Sequence, residues 1–251
     1  MKKFIAFLAV AALVLCPLVS CERVNPVMDE ERTYEVSSDI YSLKIELNAA
    51  EVEVIESDSF SVVSNLKYLS VTEDNGVLKI KDEAERYTNY KDPTLTLYVP
   101  RDTVFCEVDF LTGAGVISLN TLYTEELTMM LGAGDVQIDE LRVSDEATVR
   151  GGAGKLTING SITDLDMEMG VGELKLVASL FGDNELKLGI GRSDITLIGD
   201  KSNYTVNAEK GVGKITVDGK EISNSETVGD GENALEIEGG IGDIILSFTK
   251  E

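Results

Sequence analysis

Apolar and polar residues alternate in short runs along most of this chain, as in Leu43-Lys44-Ile45-Glu46-Leu47, Leu127-Thr128-Met129 and Leu174-Lys175-Leu176. Strict alternation over a few residues is the mark of a strand with one buried face. From about residue 108 onward each run meets a Gly-x-Gly triplet, and the parity of the alternation changes across it. A parity change keeps the apolar side inward only if the chain turns a corner there. Glycine suits such a corner because it adopts backbone angles closed to other residues. The predicted unit is strand, glycine corner, strand and linker. Several linkers carry one apolar residue, among them Leu122, Leu141, Ile162 and Leu180.

The triplets begin at Gly113, Gly132, Gly152, Gly170, Gly189, Gly211 and Gly240, in steps of 19, 20, 18, 19, 22 and 29 residues. Their middle residue is always Ala, Val or Ile. A degenerate copy, Asn48-Ala49-Ala50, carries the pattern back to about residue 41. Such self-similarity is the signature of a repeat architecture. Two arrangements compete: a parallel β-helix, in which like positions stack about 4.8 Å apart on successive coils, and an antiparallel sandwich with the triplets as hairpin turns. The residue after each triplet runs Val116, Asp135, Lys155, Glu173, Arg192, Lys214, Asp243. The residue two before it runs Leu111, Met130, Arg150, Glu168, Lys187, Glu209, Glu238. Both columns mostly alternate in sign, and opposite charges on adjacent strands stabilise by roughly 0.2–1 kcal/mol a pair. Stacked coils explain that alternation and a hairpin meander does not. The expected fold is all-β, a single-stranded parallel solenoid of ~19-residue coils with Gly-x-Gly corners. The interval 218–233 breaks the period with turn-forming residues and reads as a protruding loop. A second irregular stretch spans 83–93.

The amino terminus changes the picture. Met1-Lys2-Lys3, an apolar run from Phe4 to Leu15, and Leu18-Val19-Ser20-Cys21 have the parts of a secretory signal. The apolar run is short for a membrane span. Leu-Val-Ser-Cys resembles the lipobox of bacterial lipoproteins, which implies cleavage after residue 20 and a lipid on Cys21. The chain then divides into a signal peptide (1–20), a lipid-anchored tether (21–40) and a solenoid (41–251). Over the whole chain the net charge is −23, with 45 acidic and 22 basic side chains. Loss of Lys2 and Lys3 makes it −25 in the mature form. A surface of that sign repels phosphate backbones, so nucleic acid is not an expected partner. The chain has no histidine, which removes imidazole bases and His-ligated zinc. With Cys21 modified, Cys106 is the remaining thiol and no intrachain disulfide can form. Its parity relative to Phe110 points it inward, as an inert small hydrophobe.

Chemistry-bearing candidates are few. Gly-x-Gly-Asp suggests calcium, but the position after the triplet is Lys or Arg in three repeats, and a calcium column does not alternate with cations. No metal and no cofactor is expected. Asp164, Asp166 and Glu168 on one outward strand face, with Arg150 beside Glu168, fit the carboxylates a glycosidase needs. They fit a solvated face with cross-strand ion pairs better. In 83–92, Arg86, Tyr87 and Tyr90 are the candidate ligand contacts, against the plainer role of a loop covering the open end of the solenoid.

Together the lipobox, the degenerate first unit and the strand–Gly-x-Gly–strand repeats resemble the β-strand-repeat family of bacterial envelope proteins named as adhesins, some of which belong to envelope-stress systems. The resemblance covers about residues 41–251. It implies a right-handed β-helix and an extracytoplasmic, non-enzymatic role in surface contact, with a cationic peptide, an envelope polymer or a partner protein as the ligand. A polysaccharide-active β-helix enzyme and a purely structural or assembly protein remain the alternatives.

Overall fold

The computed structural model describes residues 29–37, 39–85 and 88–250. Among the described residues all fifteen strands belong to one sheet, and the helical content is a single 3-10 turn, Lys201–Asn203. The body is a stack of parallel coils. Strand β2 (Ser42–Ser57) pairs in parallel with β7 (Val104–Thr163), which itself runs through three glycine corners; β8 (Leu165–Phe181) and β9 (Asp183–Ile198) follow. Like positions meet: Val149 lies opposite Met167 and Met167 opposite Leu186. Antiparallel hairpins at the triplets are thereby excluded.

Alternation sorts the side chains. Val149, Met167 and Leu186, and past the corner Leu156, Leu174 and Ile195, all point into one continuous core. The linker residues Leu122, Leu141, Ile162 and Leu180 complete it from the third side, each below 5% exposed. Burial of each such side chain contributes about 1.5–3 kcal/mol. Among the described residues seven buried positions are polar or charged, and one of them bridges coils. Asn184 replaces an apolar residue and is satisfied on both sides: its Nδ2 donates to Ala234 O at 3.0 Å and its Oδ1 accepts from Leu165 N at 3.1 Å. A buried amide with these partners pins three neighbouring coils in register.

Stacking does not follow chain order throughout. Beyond β9 the chain runs into β10 (Tyr204–Val212) and β11 (Ile215–Val217), yet neither pairs with β9. The last strands, β14 (Asn233–Ile241) and β15 (Ile244–Thr249), are inserted between. The corner at Gly240 rests on Gly189, and the corner at Gly211 rests on Gly240. This exchange repairs the one like-charge step in the column after the triplets. In chain order Arg192 is followed by Lys214. In space Asp243 lies between them, so the column reads Lys155, Glu173, Arg192, Asp243, Lys214.

Antiparallel strands close both ends. At the first, β5 (Val77–Asp82) and β6 (Thr94–Pro100) stack in parallel on β2. There β4 (Leu69–Asp74) covers β5, and β3 (Ser61–Ser64) covers β6. Outermost is β1 (Arg32–Glu35), which falls inside the stretch read as tether and pairs with β3. At the other end the interval 218–233 is a cap rather than a protruding loop. Its strands β12 (Lys220–Glu221) and β13 (Glu226–Val228) run antiparallel to β11 and β10 and occupy their free edges. Unpaired edges template aggregation, and a stack of coils has two of them to cover.

Candidate functional site

The sequence-derived candidates do not converge on one place. Cys21, Arg86 and Tyr87 lie outside the described residues. Tyr90 has its ring half-buried against the core, and its hydroxyl donates to Asp82 Oδ1 at 3.0 Å. Burial, and then that carboxylate, push the phenol far above its ordinary range. Asp82 is itself buried and accepts from Asn48 Nδ2 at 3.0 Å and Ala84 N at 3.0 Å as well. Asn48 therefore ties the first corner to the capping coil, which a glycine has no side chain to do.

Two inward or outward assignments are corrected. Cys106 is exposed, because Phe105 and Val108 are both buried with two residues between them, a local bulge that shifts the parity. Asp164 does not share the outward face of Asp166 and Glu168. It sits at a turn with φ +46°, and its carboxylate accepts from Asp183 N at 2.8 Å.

Arg150 does lie opposite Glu168, but its principal partner is Asp166. The guanidinium grips that carboxylate with both terminal nitrogens and also donates to Asp166 O at 2.9 Å, while Glu168 Oε2 stands 3.7 Å from Nε. The Arg150 hydrogen bond holds the Asp166 carboxyl below its usual value. Both side chains are more than a third exposed, so the pair is worth only about 0.2–1 kcal/mol. Across the same face Glu46 takes Lys81 at 2.7 Å and Lys79 at 3.9 Å. The Lys81 contact, ahead of Lys79, lowers the Glu46 carboxyl.

Between these two ionic clusters lies a concavity of about 1000 Å³. Its floor is Leu111 and Met130, whose side chains point outward and are 37% and 47% exposed. Gly113, Gly132 and Gly152 keep the adjoining rim low, and Asn48, Asp82 and Glu168 line the margin. An apolar floor between walls of both signs, in which Glu46, Asp82 and Glu168 outnumber Lys81 and Arg150, suits a guest that is partly apolar and partly cationic. The sequence pattern places Leu111 and Met130 in this column but assigns them no role. The signal was that two adjacent repeats carry large apolar side chains where the others carry charge.

A second outward apolar feature runs along the corners. The middle residues of the triplets face solvent, and in stacking order the larger ones are Val171, Ile190, Ile241 and Val212. They are 52, 51, 54 and 68% exposed.

Comparison with solved structures finds the same architecture elsewhere. A Bacteroides fragilis protein named as a putative adhesin is 17% identical, with a TM-score of 0.55 over 86% of this chain and 96% of its own. A Clostridium sporogenes protein named as a putative cell adhesion protein is 15% identical, with a TM-score of 0.33 over 88% of this chain and 99% of its own. A Parabacteroides distasonis protein named as a putative lipid binding protein is 16% identical, with a TM-score of 0.39 over 86% and 96%. Only the first superposes closely enough to speak to the fold, and at that identity it speaks to the fold alone. No curated protein matches the chain. The family model described as Toastrack DUF4097 matches residues 40–244, from the strand before the first corner to the last inserted strand, and this chain belongs to that family.

Proposed function

We propose that this chain is a lipid-anchored module of the bacterial cell envelope that works by surface contact, in the manner of an adhesin or an envelope-stress binding protein, and not by catalysis. The observation that carries it is the concavity over Leu111 and Met130, an exposed apolar floor between the Lys81–Glu46 and Arg150–Asp166 clusters. A net charge of −23 adds long-range attraction for cations. The ligand that fits is a cationic amphipathic segment, either a free peptide or part of a partner protein. In this reading the solenoid winds right-handed with ~19 residues to a coil and holds its contact face rigid above a tether fixed to the membrane through Cys21.

A lysine–leucine amphipathic peptide, titrated calorimetrically, tests the contact face. It is expected to bind, to bind more weakly as salt is raised, and to lose about tenfold in affinity to a Leu111→Ser, Met130→Ser double variant. An unchanged affinity in that variant, or no binding at low salt, rejects the site. The anchor is tested separately. Cys21→Ser is expected to abolish incorporation of a labelled fatty acid and to leave the precursor uncleaved, and a variant that is still labelled rejects it.

A further inference from the structure

We infer that the corner ridge of Val171, Ile190, Ile241 and Val212 is the contact surface for a second copy of this chain, packed ridge to ridge in antiparallel orientation about a twofold axis. Four stacked aliphatic side chains, each more than half exposed, form a continuous apolar line on an otherwise charged surface. Lines of that kind mark interaction sites, and the charges beside this one select the occupant.

The column following the corner reads Glu173, Arg192, Asp243, Lys214 in stacking order, and the column preceding it reads Glu168, Lys187, Glu238, Glu209. Two ridges meeting edge to edge under twofold symmetry have two choices. With the ridges parallel, each coil meets its own copy and the two columns face one another. Arg192 then confronts Lys187, Asp243 confronts Glu238 and Glu173 confronts Glu168, three like-charge pairs against the one opposite pair, Lys214 with Glu209. With the ridges antiparallel, each column meets itself in reverse order. Centring the axis on the aliphatic line sets Val171 against Val212 and Ile190 against Ile241. The same register sets Arg192 against Asp243, Glu173 against Lys214 and Lys187 against Glu238, all opposite charges. Glu168 against Glu209 is the single like pair. Arg150 already stands beside Glu168, and Ser225 Oγ donates to Glu209 at 3.0 Å. Because the charges alternate, a slip of one coil turns attraction into repulsion, so the apolar overlap and the charge pattern specify one register. The exchange of the last coils is needed for this: in chain order the reversed column would set Arg192 against Lys214.

Cross-linking tests the register on the chain in detergent, with all three native cysteines, Cys16, Cys21 and exposed Cys106, replaced by Ser. Mixing Val171→Cys protein with Val212→Cys protein, or Ile190→Cys with Ile241→Cys, is expected to give disulfide-linked dimers, and Val171→Cys alone is not. In sedimentation equilibrium, Ile190→Asp is expected to weaken the dimer about 30-fold or more. Arg192→Asp is expected to weaken it too, and adding Asp243→Arg to restore it. A chain that stays monomeric at all accessible concentrations, a dimer untouched by Ile190→Asp, or cross-linking of Val171→Cys to itself overturns the inference. So does loss of binding to phosphatidylcholine vesicles in Ile190→Asp with the parent monomeric, since the ridge then faces lipid.

Discussion

Gly191→Ala is expected to destabilise the protein by about 4 kcal/mol, while Ile190→Ala beside it costs less than about 0.5 kcal/mol. The glycine has φ +147°, a region that side chains rarely enter, and an added Cβ would stand 1.6 Å from Gly172 O on the preceding coil. That oxygen has no room to retreat. Gly172 is held between Gly154 and Gly191 in the parallel ladder, so a shift at one corner passes to the next. Ile190 has no such constraint, because its side chain points to solvent. A loss of that size lowers the melting temperature of a domain this large by roughly 10 °C, measurable by circular dichroism. If Gly191→Ala melts with the parent, close stacking of the corners is not what requires glycine there.

Leu235→Asp is expected to unfold two segments that are not neighbours in sequence. Leu235 is completely buried, opposite Asn184 on one side and Val206 on the other. A carboxylate there has no partner, and an unpaired buried charge costs several kcal/mol unless the segment opens to water. Opening β14 removes the parallel partner of β10, whose other neighbour is the three-residue β13. Hydrogen exchange is therefore expected to show protection lost together from 204–217 and 233–249, with β7 and β8 unaffected, as befits an array in which each coil contacts only its neighbours. If 204–217 stays protected, β10 rests directly on β9 and the inserted order of the last coils is wrong.

Much of this molecule is readable from local pattern. The inward residues of nearly every strand, the corners and the third apolar side follow from alternation, because a period of two allows a strand one buried face. Where alternation slipped the reading slipped with it: Cys106 sits in a bulge, and a bulge changes parity without any glycine or proline to announce it. The concavity was legible only in part. Leu111 and Met130 stand in the column where neighbouring repeats carry charge, yet their significance depends on the Lys81–Glu46 cluster brought beside them by the capping coil. The irregular stretch at 218–233 carried turn residues that a protruding loop and an edge cap share.

By itself the amino-acid sequence determined the unit, the side of each strand that faces the core, and the need for glycine at the corners. All of these are decided within a few residues by side-chain period and backbone sterics. The order in which units stack was decided by tertiary structure. Every coil offers its neighbours nearly the same apolar interior and the same backbone ladder, so local pattern does not distinguish one sequence of layers from another. What distinguishes them here is long-range: the bond from Asn184 to Ala234 across coils and the placing of Asp243 between Arg192 and Lys214. The continuous aliphatic ridge depends on the same folded order.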